Sequence, residues 1–157
     1  MLNHPFPPVY DENARVLILG SFPSVKSREQ GFFYGHPQNR FWRVLAAVFG
    51  DPVPETVPER RAFLLRRGVA LWDVIAACEI TGSSDASIRG AAVNDLRPIL
   101  EAAPIRAIYV NGQTAGKLYK RFDEPELRRP AVILPSTSPA NAAWSLERLV
   151  EAWRVIR

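Results

Sequence analysis

Arg15–Trp42 reads RVLILGSFPSVKSREQGFFYGHPQNRFW. It opens on a short, unbroken apolar run that stops at Gly20. A run of this kind, with no polar alternation, suits a strand covered on both faces of a parallel sheet. The segment then changes character. Gly20–Trp42 is much longer than the roughly 2–6 residues usual between a strand and the next helix. It holds three consecutive aromatics, Phe32, Phe33 and Tyr34, among the cations Lys26, Arg28 and Arg40. Rings beside cations are what a site needs to stack a base and hold its phosphates. A loop folded over its own aromatics would have the same composition, so the residues alone leave both readings open.

Working outward, three more apolar runs have the same form: Val69–Val74, Ala107–Val110 ending at Asn111-Gly112, and Ala131–Leu134 ending at Pro135. Helical patterns fill the gaps. Asn39–Phe49 stops at Gly50, and Glu59–Arg67 stops at Gly68 with Pro58 at its start. Asn94 is placed to cap Asp95–Ala102, and Gln113–Phe122 is a further helix. The last helix is expected from near Asn141 to the C-terminus, burying Leu146, Leu149, Val150, Trp153 and Ile156. The order β-α-α-β-α-β-α-β-α predicts an α/β fold, a three-layer αβα sandwich on a four-stranded, mainly parallel sheet. In such sheets ligands bind beyond the carboxyl ends of the strands. The loops after Leu19, Val74, Val110 and Leu134 are therefore the ones to inspect.

Composition bounds the function. The chain has 157 residues, 47% of them apolar, which fits one domain over 1–157. Cys78 is the sole cysteine, which excludes an intramolecular disulfide and a four-cysteine zinc or iron–sulfur site. A reducing, cytoplasmic setting is expected, without membrane attachment or signal peptide. The net charge of +4 is compatible with a phosphate-rich partner and does not by itself demand one.

The loop residues resemble a family. Gly20-Ser21-Phe22-Pro23, followed by the aromatic turn and His36-Pro37-Gln38-Asn39-Arg40-Phe41-Trp42, is similar to the first motif of the uracil-DNA glycosylase superfamily, especially its mismatch-specific branch. Leu134-Pro135-Ser136-Thr137-Ser138-Pro139-Ala140-Asn141 resembles the second motif, the loop that enters the minor groove and displaces the target base. Asn111-Gly112 and the stretch from Leu71-Trp72-Asp73-Val74 to Gly82-Ser83-Ser84-Asp85 also fit. The resemblance covers almost the whole chain, in order, at all four strand ends.

Two departures sharpen it. Phe22 stands where several branches carry an Asp or Asn that handles water, and Ser136 where the best-known uracil-excising branch carries a His. The pattern looks instead like the sixth family, the hypoxanthine-DNA glycosylases, whose important Asn corresponds to Asn39. The resemblance implies a monofunctional enzyme of base-excision repair. It would act on double-stranded DNA containing deaminated bases, hypoxanthine first and uracil or xanthine second. It would need no metal or other cofactor and would work as a monomer. A mismatch-specific uracil enzyme, or a non-catalytic nucleic-acid binder on the same scaffold, is the competing reading.

Asn39 is then the expected catalytic residue. An amide is a poor base, but its carbonyl can accept from water and its NH2 can donate to the base or sugar. Gly20, Ser21, Phe22, Pro23, Tyr34, His36, Asp73 and Asp85 are expected around the base, with Tyr34 as the stacking ring. Ser136, Thr137, Ser138, Pro139, Ala140, Asn141 and Arg40 are expected on the DNA. Ala140 lies near the wedge tip, where a methyl group is too small to fill the vacated space, so Asn141 or backbone would fill it. His4 falls in a terminus expected to be loose.

Overall fold

The computed structural model describes residues 1–157. In chain order the strands are β1 (Leu2–Asn3), β2 (Val16–Gly20), β3 (Val69–Asp73), β4 (Ile75–Glu79), β5 (Arg89–Val93), β6 (Ala107–Asn111) and β7 (Val132–Leu134). The helices are α1 (Val25–Gln30), α2 (Phe41–Phe49), α3 (Val57–Arg66), α4 (Arg97–Ala102), α5 (Gln113–Leu118), α6 (Glu124–Leu127) and α7 (Leu146–Trp153). The main sheet has the order β3-β2-β6-β7 and is parallel throughout.

Strand β2 is buried at every position, as its unbroken apolar run requires. Val16 and Ile18 point into one core with Phe41, Leu45 and Val48 of α2, Phe63 and Leu64 of α3, and Leu149 and Trp153 of α7. Leu17 and Leu19 point into a second core with Ile99 of α4 and Ala115 of α5. The alternation along one strand therefore builds both outer layers, and the expected αβα sandwich is observed. Register aligns Gly20 with Asp73, Leu19 with Val110 and Asn111 with Leu134. All four strands thus release their loops at one edge.

The structure revises several boundaries. The run Val69–Val74 ends as a main-sheet strand at Asp73, and the chain continues into β4 of a separate antiparallel sheet, β1-β4-β5. Asn94 does not cap α4. Its side-chain amide donates to the carbonyls of Asp73 and Ile75, at 2.8 and 3.2 Å, pinning the turn between the two sheets. Helix α4 starts at Arg97, whose N–H is accepted by Asp95. The expected helix Gln113–Phe122 leaves the α-helical form after Leu118, passes through a π-helical turn at Tyr119–Asp123 and resumes as α6. The last helix begins at Leu146, capped by Ser145, and not near Asn141. Asn141 is unavailable to it because its side chain donates to Ser136 O at 3.0 Å within the preceding loop.

The N-terminus is not loose. His4 N–H donates to Ala76 O at 2.7 Å, and Val9 exchanges two backbone hydrogen bonds with Leu71. The segment thus covers the outer edge of β3, which would otherwise expose an unpaired strand. No helix is long and apolar enough to cross a membrane.

Candidate active site

The loop after β2 does not run free. Ser24 caps α1 by accepting the Ser27 N–H, and Gly31 ends that helix with a left-handed φ of 71°. This short helix carries the chain to the aromatic turn. Phe32 and Phe33 turn inward and are buried. Tyr34 takes the opposite course on a φ of 50°, rare for a residue with a side chain. Its carbonyl accepts the Trp42 indole N–H at 3.2 Å, and the next residue, Gly35, donates to Ser27 Oγ at 2.9 Å. Contacts on both sides therefore hold an unfavourable backbone in place. The result is a Tyr34 ring stacked on Phe41, centroids 4.0 Å apart and 17° from parallel.

A cavity of about 320 Å³ opens at the edge where the strands end. Gly20, Ser21, Phe22, Pro23, Tyr34, His36, Asn39, Asp73, Asp85 and Ser136 through Ala140 all line it. The structure thus brings together residues from three of the loops singled out by sequence. Asn111, Phe33, Ser24, Ser27 and Ser83 complete the wall. Sequence reasoning placed Asn111 in a matched motif without giving it a role, although its position at a strand end was the available signal.

Asn39 sits at the centre of a hydrogen-bond chain. Asn111 Nδ2 donates to Thr137 Oγ1 at 3.0 Å, and the Thr137 N–H donates back to Asn111 Oδ1 at 3.0 Å. The Thr137 hydroxyl, already accepting from Asn111, sends its own hydrogen to Asn39 Oδ1 at 2.8 Å. The Phe41 N–H also donates to Asn39 Oδ1, at 2.9 Å. Both lone pairs of that oxygen are thereby engaged. This corrects the expectation that the Asn39 carbonyl would accept from water. The amide orientation is set, and its NH2 is the group left for a ligand.

At the cavity floor, Gly20 separates two polar groups. A Cβ on Gly20 would lie 2.5 Å from Asp73 Oδ1 and 2.8 Å from Tyr34 Oη. The Tyr34 hydroxyl is buried and has no hydrogen-bond partner. Burial, with the Asp73 charge adding to it, pushes that phenol far above its usual range. Asp85, at the accessible mouth, accepts the Ser21 hydroxyl at 2.8 Å. Desolvation by the surrounding wall raises the Asp85 pKa, against the lowering effect of Ser21 and with a contribution from Asp73. His36 Nδ1 accepts the Gln38 N–H at 3.1 Å, so a neutral ring carries its proton on Nε2.

Two residues expected on DNA have other work. The Arg40 guanidinium donates to the carbonyls of Trp144, Ser138 and Asn141, and its N–H donates to Thr137 O at 3.1 Å. It straps the second-motif loop to the start of α2. Asn141 ties the same loop across its base and lies outside the cavity. Ala140 and Pro139 remain exposed at the tip. Sequence gave no reason to include His4, yet its Nε2 meets Asp73 Oδ2 at 2.7 Å.

The same chain matches known proteins along its length. The family model described as the uracil DNA glycosylase superfamily matches residues 7–157. The chain belongs to this superfamily. Among its relatives, a Methanosarcina acetivorans protein named hypoxanthine DNA glycosylase is 36% identical, over 99% of this chain and 98% of its own. A Methanosarcina barkeri protein of the same name is 35% identical, over 94% and 93% respectively. The solution NMR structure of a candidate uracil DNA glycosylase from Methanosarcina acetivorans superposes with a TM-score of 0.82 at 32% identity, covering 99% of both chains. Membership of the superfamily makes the protein a DNA glycosylase.

Proposed function

We propose that the protein is a monofunctional DNA glycosylase that hydrolyses the N-glycosidic bond of hypoxanthine in double-stranded DNA, with uracil and xanthine as secondary substrates. The observation that carries this reading is the locked amide of Asn39, whose NH2 is left to donate within a cavity of about 320 Å³. The names of the two Methanosarcina relatives point to the same substrate.

A base in a duplex must leave the stack before any pocket can reach it, at a cost of a few kcal/mol that is smaller for a weakened pair. One face of Tyr34 is covered by Phe41, and the other receives the flipped base. Such a stack contributes about 1–3 kcal/mol. The Ser136–Ala140 loop approaches the duplex through its hydroxyls and backbone, with a tip of only Pro139 and Ala140. So small a wedge favours lesions whose pairing is already weak.

Bond breakage leaves negative charge on the base and positive charge on the sugar. The Asn39 NH2 donates to the departing base as that charge grows. The backbone N–H groups of Ser21 and Phe22 find no acceptor in the fold and add to this stabilisation. Asp85 and Ser21 provide an acceptor and a hydroxyl on the cavity wall for the attacking water. No lysine lines the cavity, in keeping with hydrolysis rather than Schiff-base chemistry.

The test is incubation with duplex oligonucleotides carrying hypoxanthine, without metal or nucleotide. Free hypoxanthine appears, and the strand breaks only after alkali. An intact hypoxanthine duplex under excess enzyme overturns the substrate assignment, and a parallel uracil duplex tests the alternative.

A further inference from the structure

His4 is attached to the site by one polar contact. Its ring is held among Phe6, Trp72, Phe22 and Phe33, with centroids at 4.6, 4.4, 6.0 and 6.1 Å. The side chains of His4 and Asp73 are 3% and 5% exposed. Nδ1 of His4 is buried without a partner, so the Nε2 contact to Asp73 Oδ2 is all that the imidazole does beyond packing. A phenyl ring would serve for packing alone. A carboxylate only accepts, so Nε2 carries the hydrogen of this bond.

The consequence falls on the other oxygen. Asp73 Oδ1 takes no hydrogen bond from the protein and lies against Gly20 on the floor of the cavity. With Oδ2 anchored at 2.7 Å, the carboxylate cannot swing away from that position.

We propose that His4 is a positioning residue that holds Asp73 Oδ1 as an acceptor for the base edge, so that the cavity selects bases carrying a lactam N–H. The inference rests on the reading that this cavity takes the flipped base, and it names the feature by which the base is chosen. Hypoxanthine, xanthine and uracil each present such an N–H. Adenine presents a ring-nitrogen lone pair at the corresponding edge, which would face the carboxylate acceptor to acceptor. A site built to bond a donor rejects an analogue that lacks it by up to about 10⁴- to 10⁵-fold, because its own polar group is left unpaired. The normal base from which hypoxanthine arises by deamination is thereby refused on chemistry, beyond the ease of flipping.

The experiment compares single-turnover excision of hypoxanthine and of 1-methylhypoxanthine from otherwise identical duplexes. The enzymes are wild type, His4→Phe, which keeps the ring and removes the donor, and His4→Gln, which restores an N–H. Wild type excises hypoxanthine at least about 100-fold faster than the methylated base. His4→Phe slows hypoxanthine about tenfold or more and leaves the slow methylated substrate unchanged, and His4→Gln recovers part of the selectivity. Thermal melts confirm that each variant is folded at the assay temperature. Equal wild-type rates on the two bases overturn the inference and leave the proposed function standing, and this arm needs no variant. An equal loss on both bases in His4→Phe reduces His4 to a structural residue and also overturns it. Wild type that releases neither base overturns the proposed function and this inference together.

Discussion

Thr137 Oγ1 donates to Asn39 Oδ1 at 2.8 Å across 98 residues of chain. The contact joins the two loops that carry the family motifs and, together with the Phe41 N–H at 2.9 Å, sets which end of the Asn39 amide faces the cavity. Asn111, at the end of β6, accepts the Thr137 N–H and donates to its hydroxyl, and so fixes the direction of every hydrogen in the chain.

Removing the Asn39 donor therefore has a defined effect. Asn39→Ala lowers single-turnover excision by about 100- to 1,000-fold, the usual loss for one preorganised donor. Asn39→Asp fails as badly, because a carboxylate cannot donate. Thr137→Val keeps the shape and removes one of the two donors that orient the amide, leaving the Phe41 N–H, and it costs about tenfold. Equal rates for wild type and Thr137→Val would show that the orientation is set elsewhere.

Gly20 is constrained by space and not by its backbone angle. A methyl group there meets Asp73 Oδ1 and Tyr34 Oη at 2.5 and 2.8 Å. Neither can retreat easily, because Asp73 is tied to His4 and Tyr34 is stacked on Phe41. Gly20→Ala consequently displaces the cavity floor and lowers excision by about 100-fold or more. A 1 Å misplacement of a positioned group costs about that much. Kinetics on the folded variant checks this.

Arg40 separates strapping from phosphate binding. Its guanidinium holds Ser138, Asn141 and Trp144 by their carbonyls. Arg40→Ala loosens the loop and weakens DNA binding, and Arg40→Lys does not rescue it, because a point charge lacks the planar fork. The slope of log affinity against log salt stays the same in both variants. A direct phosphate contact would instead reduce that slope by about one. Titration at several salt concentrations distinguishes the two.

Asp123, in the π-helical turn between α5 and α6, gives the protein a pH-dependent stability. Desolvation, aided by Glu126 and Asp95, raises its pKa from 3.8 to about 7, and its Oδ2 is buried without a partner. The folded state therefore holds this proton more tightly than the unfolded chain. The contribution is fully present below about pH 3.8 and is lost as pH rises through about 7. Asp123→Asn removes the penalty. Denaturant unfolding shows the variant gaining stability over wild type between pH 4 and pH 8, with a constant gain above that. A pH-independent difference rules out Asp123 as the titrating group.

The sheet and its two cores were legible in the sequence because their signal is local. Val16–Leu19 is apolar at consecutive positions and ends at Gly20, which suits a short strand covered on both faces. The motif residues were legible for a related reason, since strand ends in a parallel sheet have few places to go. The β3–β4 switch was less legible. An apolar run looks the same in either sheet, and the choice rests on Asn94 bonding both sides of the turn from about twenty residues away. The strapping contacts of Arg40 were not legible, because its carbonyl partners lie about 100 residues on.

The sequence by itself determined the family, the fold and most of the residues that line the cavity, because hydrophobic pattern and motif spacing are properties of neighbours along the chain. Only the tertiary structure decided what each polar group does. The donor end of Asn39, the strapping role of Arg40 and the pairing of His4 with Asp73 all depend on hydrogen bonds between residues about 70 to 100 positions apart. Such bonds are set by where the folded sheet brings its loops together, and no local pattern in the chain encodes them.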